Sequence, residues 1–307
     1  MIVALSALIV MCSLSAVLVN EFFQWNQYRG NRERATQYLE SHFNATIGLI
    51  YESELEGTSV LGKPYTKTFW LYSDNLLCYH AVKPFISTLA DAVHSAYDDY
   101  SDTYAVPATG KLGALFGEDI PDQPRGTNSY IAVEAGEYVI GYDIADGGLM
   151  NDWRWYVDWL CYRAIDEWTY GNNTLAHQLV EEAIGMWDGR GFYDRPCQLG
   201  AFYHNYKLGL VLYTCHYVGF ALGPLETEIE ARMWSYQDPA RGGMITLTDV
   251  NGVPVGSCNA EATAASLLPY TLTLTRSRFV ESPLVVSIIV GSLVAVIIVI
   301  VILVKNR

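Results

Sequence analysis

The chain has 307 residues, 51% of them hydrophobic, and its 33 acidic against 19 basic residues give a net charge of −14. That balance excludes nucleic acid and anionic membrane surfaces as partners, because both repel it. The length is ample for one large hydrophobic core, so no disulfide framework is needed to hold the fold.

Taken in chain order, residues 1–20 (MIVALSALIVMCSLSAVLVN) are apolar and end among small residues, which reads as a secretory signal peptide or an uncleaved N-terminal anchor. Residues 21–281 then form the main domain. Within it, 31–43 is amphipathic, with Ala35, Tyr38, Leu39 and His42 on one stripe, as expected of an outer helix. Residues 71–85 are apolar on nearly every side, as expected of an inner one. Segment 104–150 holds Pro/Gly/Asp loops and two strand-like runs, 129–134 and 137–142, and reads as an inserted decoration. The inner pattern returns at 152–168, 200–218 and 260–274, and the outer pattern at 174–187 and 225–236. Before the last inner helix, GGMITLTDVNGVPVGSC turns at Asn251-Gly252, a type I′ hairpin signal. MWDGRGFYDRPC, from Met186, and MWSYQDPARGG, from Met233, share a Met-Trp start, and each leads through a glycine and a cysteine into an inner helix.

The C-terminal run 283–304 (PLVVSIIVGSLVAVIIVIVILV) has no charged residue and is long enough as a helix to cross the ~30 Å hydrocarbon core. Lys305 and Arg307 follow it, which places the tail 305–307 in the cytoplasm and the main domain outside. The expectation is a single-pass cell-membrane protein, with the lipid bilayer, glycans and other surface proteins as its partners. Cys78, Cys161, Cys197, Cys215 and Cys258 form an odd set, which allows at most two bridges. Asn44 and Asn172 open glycosylation triplets.

The order outer helix, Gly-rich β-turn, polar residue, inner helix resembles the α/α-toroid superfamily of six-hairpin glycosidases. WLYSDN, at 70–75, and GGMITLTDVNGVPVGSCNAEATAASLL, at 242–268, carry the likeness most specifically. The resemblance implies a mainly α fold of about four helical hairpins, partial where a closed toroid needs six, with short β-hairpin decorations. It further implies that the first turns of the inner helices gather at one end. Tyr72, Asp74 and Asn75, Asp152, Tyr203 and His204, and Asn259 and Glu261 would then converge. Asp74, Glu261 and Asp152 are the candidate acid–base groups of a glycoside hydrolase or lyase. Tyr72, Asn75, Tyr203, His204 and Asn259 are the candidate substrate-binding groups.

Capping is the competing reading, because Asp, Asn and Glu in a first turn satisfy free amides and complement the helix dipole. Asp74, flanked by apolar neighbours, would be costly to bury unpaired. Asp158 lies four residues after Arg154 and suits a helix ion pair. Asp143, Asp146, Asp188 and Asp194 suit turns. No zinc, EF-hand or nucleotide-binding pattern is present, so neither a metal nor a cofactor is expected. Two functions follow: a membrane-anchored surface domain that binds or processes glycans, or a non-catalytic structural or adhesion domain working through protein assembly.

Overall fold

The computed structural model describes residues 27–53, 58–60, 63–106 and 110–280, with backbone only at 58–60, 63–64 and 273–280. Contacts divide the chain into one compact unit, Asn31–Leu272, and another made of Met1–Gly30 and Thr273–Arg307. In the latter, Gln27 Nε2 donates to the Tyr28 hydroxyl at 3.0 Å. The side-chain contacts that follow lie within Asn31–Leu272.

In chain order the elements are α1 (Arg29–Ser41), β1 (Phe43–Asn44), β2 (Leu49–Ile50), β3 (Thr58–Val60), β4 (Lys63–Tyr65), β5 (Lys67–Trp70), α2 (Asp74–Val82) and α3 (Ser87–Tyr104). A 3-10 turn (Gly110–Phe116) leads to β6 (Asn128–Ala135) and β7 (Tyr138–Ile144), and a second one (Trp153–Trp155) to α4 (Val157–Thr169). Then come α5 (Asn173–Ile184), α6 (Arg195–Gly200), β8 (Phe202–His204), α7 (Tyr206–Tyr217), α8 (Pro224–Ser235), β9 (Met244–Asp249), β10 (Pro254–Asn259) and α9 (Ala260–Val280).

This architecture corrects the mainly α expectation. Among the described residues helix makes up 51% and strand 19%, a mixed α/β composition. The strands form two three-stranded sheets, β10-β9-β8 and β5-β7-β6, and the pairs β1-β2 and β3-β4. Segment 104–150 is no peripheral decoration: β7 runs parallel to β5, with Phe69 opposite Ile140, and so joins the sheet that leads into α2. Residues 202–204, read as the start of a helix, pair with β9 instead, with Tyr203 opposite Thr248. Helix α3 is absent from the sequence reading.

Helices α2, α4 and α7 are buried on almost every side, and so is α9 up to Tyr270. Helix α5 buries one stripe, Ala176, Leu179, Val180 and Ala183, against α4. Three of the buried helices are entered directly from a strand: β5 into α2, β8 into α7 and β10 into α9. Sheet register therefore sets where their first turns point. The β9–β10 hairpin forms as expected, but only Gly252 has positive φ in its turn, so the turn is not type I′. Asp249 organises it, its Oδ1 accepting from the amides of Asn251 and Val253, both at 2.8 Å.

The expected span 283–304, the tail 305–307 and the apolar segment 1–20 lie outside the described residues. Among the described residues no helix is long and apolar enough to cross a membrane. The longest, α9, carries Glu261, Arg276 and Arg278. The single-pass membrane address, and the exterior placement that followed from it, are corrected on that ground. The five cysteines are buried and unbridged, against the bridges the sequence allowed. Asn172 is committed locally, capping α5 through Leu175 N and donating to Glu167 at 2.8 Å.

Candidate functional site: a carboxyl cluster at four helix starts

Asp74 opens α2, Asp158 lies in the first turn of α4, Tyr206 and Lys207 open α7, and Glu261 is the second residue of α9. A fourth acid, Glu52, lies outside the regular elements and is clamped into place by backbone. Its N–H donates to Thr68 O on β5, and its carbonyl accepts from Ala260 N at the start of α9, both at 2.8 Å. Ser53 bridges to Asn259. The Glu52 carboxyl thus meets the heads of α2 and α9.

Glu52 Oε1 accepts from Asn259 Nδ2 at 2.6 Å, and its Oε2 is buried. The Asp74 carboxyl and the Glu261 backbone also hydrogen-bond this carboxyl. Two ionised carboxylates have only acceptors to offer each other, so contact between them requires a shared proton. Burial raises both acids. Hydrogen bonding between them then favours the charge on Glu52 and opposes it on Asp74, which is raised the more and holds the proton. The Ser73 hydroxyl favours the charged form of Asp74 and also that of Asp143 on β7.

Glu261 is partly exposed, and its carboxyl is pushed up to about 8, first by loss of solvent and then by repulsion from Asp74. It is not the helix cap. Asn259 Oδ1 takes that role, accepting from Ala262 N at 2.8 Å. Cys78 lies among the same three acids, and burial followed by their charge keeps its thiol protonated.

Two lysines border the trio. Burial alone would raise Asp158, but Lys111 and Lys207 more than offset it and hold this carboxyl well below the usual range. Lys111 Nζ bonds Asp158 Oδ2 directly. Lys207, 1% exposed, bonds Asp194 Oδ2 at 2.5 Å. Asp194 in turn accepts from Val157 N at 3.2 Å and from Cys197 N at 3.4 Å, so it joins the starts of α4 and α6 to α7. The Tyr162 and Tyr206 phenols are raised by burial and then by the charges of Asp158 and Glu261, which places them beside the cluster.

Of the residues singled out from sequence, the structure brings Asp74, Glu261 and Asn259 together. Asn75 is fully buried and spent on backbone: its Nδ2 donates to Ile50 O and Trp70 O, and its Oδ1 accepts from Ile50 N at 2.8 Å. Tyr72 is buried edge-on to Tyr97, with ring centroids 6.4 Å apart. Tyr203 is buried and donates to Asp188. His204 is half-buried against the Tyr206 ring, and burial, then Lys207, lowers its pKa. Asp152 stands apart: its side chain is 47% exposed and lies 3.8 Å from Arg195.

Glu52, Lys111, Lys207 and the partnership of Asp158 were missed by sequence reasoning. Arg154, the expected partner of Asp158, instead bonds Glu182 through two nitrogens. One local signal was available: Lys207 stands inside the apolar run YKLGLVLY, where a cation needs a buried counter-charge. Among the described residues no group of His, Cys, Asp and Glu is arranged to hold a metal ion. No family model, curated protein or solved structure matches the chain, so the site's own geometry carries the functional argument.

Proposed function

We propose that the chain is an acid–base hydrolase that cleaves a glycosidic bond, with Glu261 as the proton donor. One observation carries this reading. Glu261 is a partly exposed carboxyl that keeps its proton up to about pH 8, beside an acid pair that shares one proton. Acids whose surroundings push their titrations apart suit divided acid and base roles. Glu261 gives its proton to the leaving-group oxygen as the carbon–oxygen bond breaks. Glu52, whose charged form the hydrogen bonds from Asp74 and Asn259 favour, is assigned as the base that takes a proton from the water adding to the carbon. Asp74 is a positioning residue here, since its proton holds Glu52 in place.

A screen of the full chain against neutral aryl glycosides tests the reading. Turnover is expected in wild type, with a loss of about 10²-fold or more in Glu261→Gln. Asp74→Asn, which retains a donor to Glu52, should retain measurable activity with an altered pH profile. An absence of turnover across the panel, or unchanged turnover in Glu261→Gln, sinks the proposal.

A further inference from the structure

The sheet β10-β9-β8 buries one face and leaves the other partly exposed. Side chains alternate along each strand, and residues opposite one another share a face, so the register sorts them into rows. Pro254, Thr248 and Tyr203 form one row. Thr248 and Tyr203 are buried, and Arg190 lies over this side, its Cζ 5.9 Å from the Tyr203 ring. The opposite face carries the row Val255, Leu247 and His204. Beside it runs the row Val253, Asp249 and Phe202, which Val253 joins through its carbonyl, accepting from Asp249 N at 2.9 Å. On this face Val253 is 54% and Phe202 39% exposed, and Val255, Leu247 and His204 are partly exposed. The result is an apolar strip open to solvent across three strands, about 10 Å wide.

The strip runs up to the carboxyl cluster. At one end the His204 ring lies edge-on to Tyr206, with centroids 6.1 Å apart, and the Tyr206 phenol feels the charge of Glu261. Strand β10, which carries Val255, continues directly into α9 and Glu261.

The chemistry of the strip selects its occupant. Its three strands contribute no Lys or Arg, and the Asp249 carboxylate is turned back onto the amides of Asn251 and Val253. Burial, then Lys207, favours the neutral form of His204. Sugar hydroxyls find no partner on Val, Leu and Phe side chains, whereas a hydrocarbon laid there leaves water favourably. A second copy of the chain would bring a further charge of −14 to strands with no Lys or Arg to offset it.

We infer that this face of β8, β9 and β10 is a subsite for the apolar leaving group of a neutral glycoside, an alkyl chain lying across Phe202, Leu247 and Val255 while its sugar reaches Glu261. The glycosides taken are those of hydrophobic alcohols. This rests on the hydrolase reading only for the bond that is broken.

The test is calorimetry on the full chain with methyl, hexyl and octyl glycosides of neutral sugars, each below its micelle concentration and in O-linked and S-linked forms. The S-linked forms resist hydrolysis and report binding alone. For at least one sugar, affinity should rise at least about tenfold from methyl to octyl, equivalent to ~1.4 kcal/mol. That gain should shrink to about threefold or less in Leu247→Thr and in Val255→Thr, which keep strand propensity but add a hydroxyl, and persist in Glu261→Gln. Circular dichroism checks folding; should one threonine variant not fold, the other carries the test. The subsite is overturned if affinity does not rise with chain length, if the folded variants keep the wild-type gain, or if octanol binds as tightly as every octyl glycoside. A dimer in sedimentation that Leu247→Thr dissociates would overturn it too, by giving the face to a second copy. Chain-length-dependent binding that the variants remove, with no aryl or alkyl glycoside hydrolysed, leaves the subsite standing and removes the hydrolase. Hydrolysis of methyl and octyl O-glycosides with equal KM does the reverse.

Discussion

Glu261 keeps its proton up to about pH 8 in the fold, whereas an unperturbed Glu releases it near 4.5. Between those values the folded state binds more protons than the unfolded one, so stability falls as pH rises, from full below 4.5 to lost above 8. Glu52 and Asp74, both raised, act in the same direction. Asp158 has the opposite sign: its lowered titration adds stability above its ordinary 3.8 that disappears on acidification. Urea melts from pH 4.5 to 9 should show the decline in wild type and a shallower one in Glu261→Gln. An identical slope in the variant would mean that the carboxyl titrates normally. Asn259 acts twice, capping α9 and holding Glu52 Oε1, so Asn259→Ala should cost ~1–2 kcal/mol in the same melts at pH 7. A loss no larger than that of an exposed surface substitution would contradict the double role.

Helix α7 meets α9 at a contact that depends on two residues with special backbone chemistry. Pro269 lies inside α9 and has no N–H to bond the carbonyl four residues earlier, that of Ala265. Gly209 of α7 packs against that carbonyl, and a Cβ there would sit 2.1 Å from its oxygen and 2.5 Å from its carbon. Backbone cannot yield as a side-chain tip does, so Gly209→Ala should destabilise by at least ~1–3 kcal/mol despite the better helix propensity of alanine. Unchanged stability in chemical denaturation would refute the close approach. Two residues earlier on α7, Lys207 neutralises Asp194. Lys207→Met should cost ~3–5 kcal/mol because it leaves a buried carboxylate unpaired. Adding Asp194→Asn should recover part of that loss, since the stranded charge is removed; a further loss would show that the Asp194 caps outweigh its charge.

In Asn31–Leu272 as a whole, stability comes from burial rather than covalent ties. The cores of α2, α4, α7 and α9 are mostly apolar beyond the charged first turns, and the five described cysteines are buried and unbridged. With Cys12 changed to Ser, a thiol reagent should label no cysteine in the native protein and all five after unfolding. Dithiothreitol should leave the melting temperature unchanged. Labelling of the native chain, or a drop in Tm on reduction, would contradict the buried thiols.

Local pattern was enough to find most of the helices, because the period of apolar residues marks which face of a segment is buried whatever it packs against. The β9–β10 hairpin was legible for a similar reason: its turn residues lie side by side in the chain. Asp74, Asn259 and Glu261 stood out because each opens an apolar helix. What stayed hidden depends on partners distant in sequence. Residues 202–204 look helical until β9, some forty residues later, supplies an edge to pair with, and β7 becomes structural only beside β5. Glu52 gains its role from Asp74 and from Asn259, 207 residues away. Asp158 exchanges its near neighbour Arg154 for Lys111, 47 residues earlier. The sequence by itself therefore determined most of the helices, the β9–β10 hairpin and two of the acids. Only the tertiary structure decided which carboxyls share a proton, because desolvation and Coulomb repulsion depend on distance in space and not along the chain.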